Sequence, residues 1–306
     1  MNRKILVTDS LFIFDEHVKK LEEAGYEVER LDKPQASEEE LCQAVKGKVG
    51  YILGGIEKVT DKIIDAADEL KVIAVTATAA EGFVPAMQKA TEKGIKVTNA
   101  PHANADSVAE WVFASALAMT RNLFILGRTG DKKFKTSDSL SELQVGIVGL
   151  GHVGAKLADL FDGAGAKVVY WSRSPKDTHY ERLELDEVLS SSDILCICVS
   201  REVGEGWLNS DQLSKIKDRA LVTCLTDVAL NETDLLKELE KGRIRSFLDW
   251  TPKANDYLNL PLDIFYCSNE STAYNTHAAN KKVSDIAVGS LLNVLKTGTD
   301  QYVVNT

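Results

Sequence analysis

Short apolar runs alternate with amphipathic stretches from the start of the chain. KILVTD is an apolar run closed by a turn residue, and FDEHVKKLEEAG follows with apolar positions at helical spacing and a stop at Gly25. The rhythm continues through the strand YEVERL, the helix SEEELCQAVKG, the strand VGYILGG, the helix DKIIDAADEL, the strand KVIAVTA, the helix FVPAMQKATEKG and the strand IKVTN. This alternation predicts βαβ crossovers and a parallel sheet covered on both faces. A second alternation begins at LQVGIVGLG and runs to about Glu270. The pattern as a whole predicts an α/β protein.

Between the two alternations, Ser107 to Gly127 reads as one long helix, SVAEWVFASALAMTRNLFILG, apolar nearly all round. Such a cylinder cannot stay wetted, so it is expected to lie buried between domains. The segment TGDKKFKTSDSLSE after it is polar and expected to be exposed, and the last helix, near Asn275 to Lys296, is amphipathic. There is no short-period repeat and no low-complexity tract.

Composition narrows the picture further. A length of 306 residues suits two domains, each with its own core. A formal net charge of −10 argues against a nucleic-acid surface, which needs clustered Lys and Arg. No stretch approaches the roughly 18 apolar residues of a membrane span, and Asp9 interrupts the apolar run near the start, so Lys4 to Thr8 is expected to be a strand rather than part of a signal peptide. Five cysteines in no framework spacing suit a reducing compartment, and a cytoplasmic protein is expected. Cys196, Cys198, Cys224 and Cys267 fall in or near strands without a CxxC spacing, so no metal site is expected.

The chemistry concentrates at Gly149-Leu150-Gly151-His152-Val153-Gly154. A bare GxGxxG is a weak signal, but here the strand LQVGIVG runs into it, the helix AKLADLFDGAG leaves it and the strand AKVVYWS closes a βαβ unit. That is the arrangement a dinucleotide requires. Gly149 permits the tight turn, Gly151 lets the pyrophosphate approach the backbone, and Gly154 allows close packing of helix on strand. The diphosphate then meets a helix N-terminus, where N–H groups and the dipole favour an anion. At the end of the next strand, where an NAD site usually carries an acid, the chain reads Ser172-Arg173-Ser174. Two hydroxyls and a guanidinium suit a 2′-phosphate, so NADP is preferred, with NAD possible.

Several segments together are far more specific than the glycine loop: KATEKGIKVTNAPHANADSVAEW, GLGHVG, SSSDILCICVS, NSDQLSKIKDRALVTCLTDVALNETDLLKEL and GRIRSFLDW. On these the chain resembles the D-isomer-specific 2-hydroxyacid dehydrogenase family over nearly its whole length. The resemblance implies two Rossmann-like, doubly wound parallel-sheet domains, one flavodoxin-like and one dinucleotide-binding, with the active site in the cleft between them. Residues 1–101 with 276–306 would form the substrate domain and residues 102–275 the dinucleotide-binding domain. The family likeness also implies a homodimer through the apolar helix, a small-molecule substrate, and contacts of His152 and Val153 with the pyrophosphate. It further places Val199 and Ser200 beside the adenosine and Asp249 against the nicotinamide carboxamide.

The catalytic positions break the pattern. Where the family has its substrate-holding arginine the chain reads Leu225-Thr226-Asp227, where it has its glutamate Thr251-Pro252-Lys253, and where it has its histidine Glu270-Ser271. The loop that grips the substrate carboxylate is changed to Ala77-Thr78-Ala79. Loss of a general acid–base costs about 10²–10⁴ in rate, so ordinary 2-oxo acid reduction is expected to be poor. His102 and Glu270 are the candidate replacements, with Tyr274 and His277 weaker ones and Arg201 a candidate anchor for substrate carboxylate. Two functions follow: an NAD(P)-dependent oxidoreductase with a non-standard substrate and non-canonical catalytic residues, or a catalytically inactive dinucleotide-binding member of the family, a sensor or scaffold.

Overall fold

The computed structural model describes residues 3–8, 13–33, 35–124 and 136–305. They form two compact units, Met1–Asn104 with Thr276–Thr306, and Ala105–Asn275.

The first unit is built on strands β1 (Lys4–Thr8), β2 (Glu27–Leu31), β3 (Lys48–Leu53), β4 (Val72–Val75) and β5 (Lys96–Thr98), in the spatial order β2-β1-β3-β4-β5 with every pairing parallel. Alternate residues of each strand serve opposite faces. Ile5, Val7, Ile52 and Val72 pack with Val288, Leu291 and Val294 of the helix His277–Thr297. Leu6, Tyr51, Leu53 and Ile73 pack with Leu41 of the helix Glu38–Ala44 and with Ile63 and Ile64 of the helix Asp61–Ala66. Both faces are therefore covered, which is why these strands read as continuous apolar runs. Ser37 starts its helix by accepting from the Glu40 amide while the Glu40 side chain returns to the Ser37 amide. The expected helix FVPAMQKATEKG is shorter than its pattern: a 3₁₀ turn covers Ala80–Gly82 and the helix proper runs Met87–Glu92. Pro85 lacks an N–H and disfavours helical geometry in the residue before it, which delays the start. The last helix is capped by Thr276, whose hydroxyl accepts from Ala279 N at 3.1 Å, and stops at Gly298 in the left-handed region.

The second unit holds β6 (Gln144–Val148), β7 (Lys167–Trp171), β8 (Glu181–Arg182), β9 (Ile194–Ile197), β10 (Leu221–Cys224), β11 (Arg245–Leu248) and β12 (Phe265–Cys267). Their order is β12-β11-β10-β9-β6-β7-β8, again all parallel. The order reverses between β6 and β9, so that is the switch point, where a doubly wound sheet opens a crevice beyond its carboxyl ends. The fold is thus the expected α/β one, with two doubly wound parallel sheets.

The apolar helix spans Ala105–Thr120, shorter than the expected Ser107 to Gly127, and Asn122 breaks it with φ +55°; residues 125–127 lie outside the described residues. Ala109, Val112, Ala116 and Met119 bury against Leu157 and Phe161 of the helix His152–Gly163. Phe113 meets Phe161 edge-on at 5.1 Å between centroids, and Trp111 lies 5.9 Å from Phe247. Trp111, Phe113 and Leu117 remain half-buried, and Leu123 beyond the helix end is 57% exposed.

Candidate active site

The three glycines of the loop after β6 do three different jobs. Gly149 has φ +99° and donates its N–H to the Trp171 carbonyl at 2.8 Å; a Cβ there would lie 2.7 Å from the Cys198 carbonyl oxygen. A side chain would therefore push apart the ends of β6 and β9. A Cβ on Gly154 would lie 2.2 Å from the Gly149 carbonyl, so the helix can sit this close only with glycine there. Gly151 is different, since a Cβ added to it meets no atom within 4 Å. It caps the helix His152–Gly163 without any side-chain cap bond. An open backbone approach at the uncapped start of a three-turn helix is the place for a diphosphate. The residues present fit a dinucleotide. Leu150 turns its side chain into the core beside Leu157, leaving only its backbone for the loop.

At the end of β7, Ser172 is buried and its hydroxyl donates to the Ser174 carbonyl at 2.6 Å, while its own carbonyl accepts from Arg182 at 3.1 Å. Arg173 is exposed and pairs with Glu202 at 3.1 Å. Glu202 lies in the 3₁₀ turn Arg201–Val203 just after β9, and the sequence reading did not single it out. Its signal was positional: β7 and β9 both flank β6, so their following loops both border the glycine loop. Val199 is buried with its carbonyl accepting from the Thr226 hydroxyl at 2.6 Å, and Ser200 is exposed at the start of that turn.

Of the three substituted positions, Ser271 lines a cavity of about 850 Å³ within the second unit; Thr226 and Pro252 reach it only through their neighbours Asp227 and Lys253, which line it with Arg201, Glu232 and Trp250 among others. The groups that replace the missing acids and bases are committed elsewhere. Thr226 binds Val199, Pro252 is buried, and Ser271 donates its hydroxyl to Asp249 at 2.8 Å. Asp249 also accepts from Thr272 N at 3.0 Å, Ala273 N at 2.9 Å and, more weakly, the Thr272 hydroxyl at 3.4 Å. Its carboxylate anchors the segment Ser271–Ala273 and has most of its acceptor capacity filled.

Two cations border the same cavity. Arg201 pairs with Asp227 at 2.6 Å, both of them exposed. Lys253 is placed by Glu232, whose carboxylate accepts from Lys253 N at 2.9 Å and from the Trp250 indole at 3.3 Å. Among the described residues the Lys253 ammonium pairs with no acid.

The remaining candidates are dispersed. Glu270 is exposed and borders a separate cavity of about 730 Å³ with Tyr257, Leu258, Tyr266, Cys267 and Asn269, whereas its neighbour Ser271 borders the first. His102 is exposed, has φ +60° and belongs to the first unit. Tyr274 is 40% exposed. His277 opens the last helix with its ring 5.1 Å from that of Phe14, while the cap itself is Thr276. The cysteines are free thiols, and burial pushes Cys196 and Cys224 up to about 12 and Cys198 well up too. Such thiols are protonated at neutral pH and make poor ligands; among the described residues no cluster of His, Cys, Asp and Glu could hold a metal ion. No described helix is long and apolar enough to cross a membrane.

Comparison with known proteins places the chain. The family model for the NAD binding domain of D-isomer specific 2-hydroxyacid dehydrogenases matches residues 113–278. The D-3-phosphoglycerate dehydrogenase of Methanocaldococcus jannaschii is 28% identical over 99% of this chain, which spans 59% of that relative's length. The glyoxylate reductase of Thermofilum pendens is 30% identical over 88% of this chain and 85% of its own. A crystal structure of a Thermus thermophilus protein superimposes with a TM-score of 0.83 at 25% identity, covering 98% of this chain and 99% of the other. The chain therefore belongs to the D-isomer specific 2-hydroxyacid dehydrogenase family, whose relatives above carry the names of dehydrogenases and reductases and whose NAD-binding domain its second unit matches.

Proposed function

We propose that this chain is an oxidoreductase that uses a nicotinamide dinucleotide to reduce a protonated imine rather than a 2-oxo acid. The observation that supports this is the state of the three positions where the family carries its catalytic groups: Thr226 and Ser271 have committed hydroxyls, and Pro252 has no titratable group. Hydride addition to a ketone leaves an alkoxide that must take a proton from a group within reach. A protonated imine already carries that proton, and hydride addition to its carbon yields a neutral amine directly. A site with no titratable group at the three family catalytic positions suits the second reaction. The dinucleotide supplies the hydride when bound. The chain's own residues bind and orient: Lys253 holds an anionic group of the substrate, Arg201 exchanges Asp227 for it, and Glu232 fixes the loop that presents Lys253. Neither His102 nor Glu270 acts on the substrate in this reading.

NADP is the preferred cofactor, through Arg173. Five cysteines without a disulfide among the described residues suit the cytoplasm. The half-buried face of the helix Ala105–Thr120 suits a homodimer, so sedimentation should report twice the chain mass. The deciding experiment follows loss of absorbance at 340 nm with NADPH and a 2-oxo acid, with and without methylamine. Turnover should require the amine, the acid alone being slower by about 10²–10⁴. A 2-oxo acid alone turning over at about 10 s⁻¹ would defeat the proposal. Tight dinucleotide binding with no turnover of either would leave the inactive sensor or scaffold.

A further inference from the structure

The first unit has a switch point of its own, and a buried acid without a counterpart stands at it. In the order β2-β1-β3-β4-β5 the chain departs from β1 to one side and from β3 to the other, and the region beyond the carboxyl ends of two such strands is the usual place for a ligand in sheets of this kind. Thr8 ends β1, and Glu57 follows shortly after Leu53 ends β3. Glu57 is 2% exposed. Its Oε1 accepts from the Tyr51 hydroxyl at 2.9 Å and from the Thr8 hydroxyl, and Thr8 Oγ1 accepts from Gly54 N at 3.4 Å. Glu57 Oε2 is buried with no hydrogen-bond partner among the described residues.

Two features make this more than a satisfied core acid. In either protonation state the second oxygen is deficient: ionised, it leaves a buried charge uncompensated, and protonated, it leaves an O–H without an acceptor. Both are costly, and a deficit of this kind in a folded protein calls for a physical explanation, a bound water, ion or ligand among them. Tyr51 adds the second feature. Burial and the Glu57 charge hold its phenol well above the ordinary tyrosine range, so it stays a neutral donor and cannot itself answer the acid. Among the described residues Glu57 forms no ion pair. The next residue back, Ile56, is 61% exposed, an apolar side chain adjoining the acid along the chain.

We propose that Glu57 anchors a binding site for a small organic cation, a primary ammonium or guanidinium on an alkyl chain, whose N–H donates to Oε2. A charge-assisted bond from such a group answers both deficits at once. A divalent metal fits poorly, because one carboxylate and two hydroxyls already turned toward it make a thin oxygen set. The residues the site rests on, Thr8, Tyr51, Gly54 and Glu57, all belong to the first unit, and it draws on neither the dinucleotide nor the imine reading.

The test titrates the full chain with L-arginine and with its uncharged isostere citrulline, reading amide chemical shifts and melting temperature. Arginine should bind saturably and move the amides of Gly54 to Lys58, and citrulline should not. Glu57→Gln should weaken arginine by about tenfold or more while leaving NADPH binding intact. Glu57→Asp, which keeps the charge but withdraws it by a methylene, should weaken it too and serves if the first variant does not fold. Equal binding of citrulline, arginine binding indifferent to both variants, or no saturable binding into the tens of millimolar would overturn the proposal and leave a buried water on Oε2.

Discussion

The guanidinium of Arg173 meets the carboxylate of Glu202 at 3.1 Å, joining the loops that follow β7 and β9. Both side chains are largely exposed, so the pair is weak, of the order of 0–1 kcal/mol. A 2′-phosphate carries more charge than a carboxylate and offers more acceptors. NADPH should therefore bind by displacing Glu202 from Arg173. Arg173→Ala should raise the Kd for NADPH about tenfold and leave NADH nearly unchanged. Glu202→Gln should tighten NADPH, since Arg173 then starts unpaired and a repelling charge is gone. Fluorescence titration reads both, and equal affinities for NADPH and NADH in the unaltered protein would sink the preference.

Gly151 and Gly154 separate binding from folding. Gly151→Ala adds a methyl into open space, so its melting temperature should match that of the unaltered protein. The same methyl occupies the approach of the diphosphate, and dinucleotide affinity should fall about tenfold or more. Gly154→Ala puts the methyl 2.2 Å from the Gly149 carbonyl, which is backbone and cannot swing away. Here the helix must move, at a cost of about 1–3 kcal/mol, and the melting temperature should drop. A Gly154→Ala protein as stable as its parent would mean the helix does not pack as closely as described.

The contrast between these parts shows what could be read from sequence. Strands such as Lys48–Leu53 are buried on both faces and so write themselves as apolar runs, and the glycine loop announces itself because each glycine answers a local constraint. What escaped depends on which loops the sheet order brings together. Arg173 and Glu202 are neighbours only because β7 and β9 flank β6. Thr8, Tyr51 and Glu57 form one network because β1 and β3 pair. Glu270 and Ser271, adjacent in sequence, border different cavities. Lys253 was visible as a residue, but nothing local reveals that Glu232 fixes its loop at the cavity.

His17 sets an acid limit to the stability of the first unit. Its ring is 1% exposed, with Nδ1 accepting from Phe14 N at 3.2 Å and Nε2 facing Asp285 at 3.2 Å. That arrangement suits the neutral ring with its proton on Nε2. Burial lowers its pKa, opposed in part by Asp285 and Glu16, while Lys281 adds to the lowering. The folded value therefore lies below the unfolded one of about 6.5. As pH falls through about 6.5 the unfolded chain takes up the proton first, so stability is full above that pH and declines below it, until the folded ring is also protonated. Asp285, held below the ordinary aspartate range chiefly by its bond to Lys281 despite its burial, loses its own contribution only in more acidic solution. Protonation of His17 also removes the acceptor that holds the Phe14 amide at the start of the helix Asp15–Glu23. Melting temperatures measured from about pH 7.5 down to about pH 5.5 should fall more steeply in the unaltered protein than in His17→Gln, which can still accept from Phe14 but does not titrate. Parallel pH profiles for the two would show that His17 is not the group responsible.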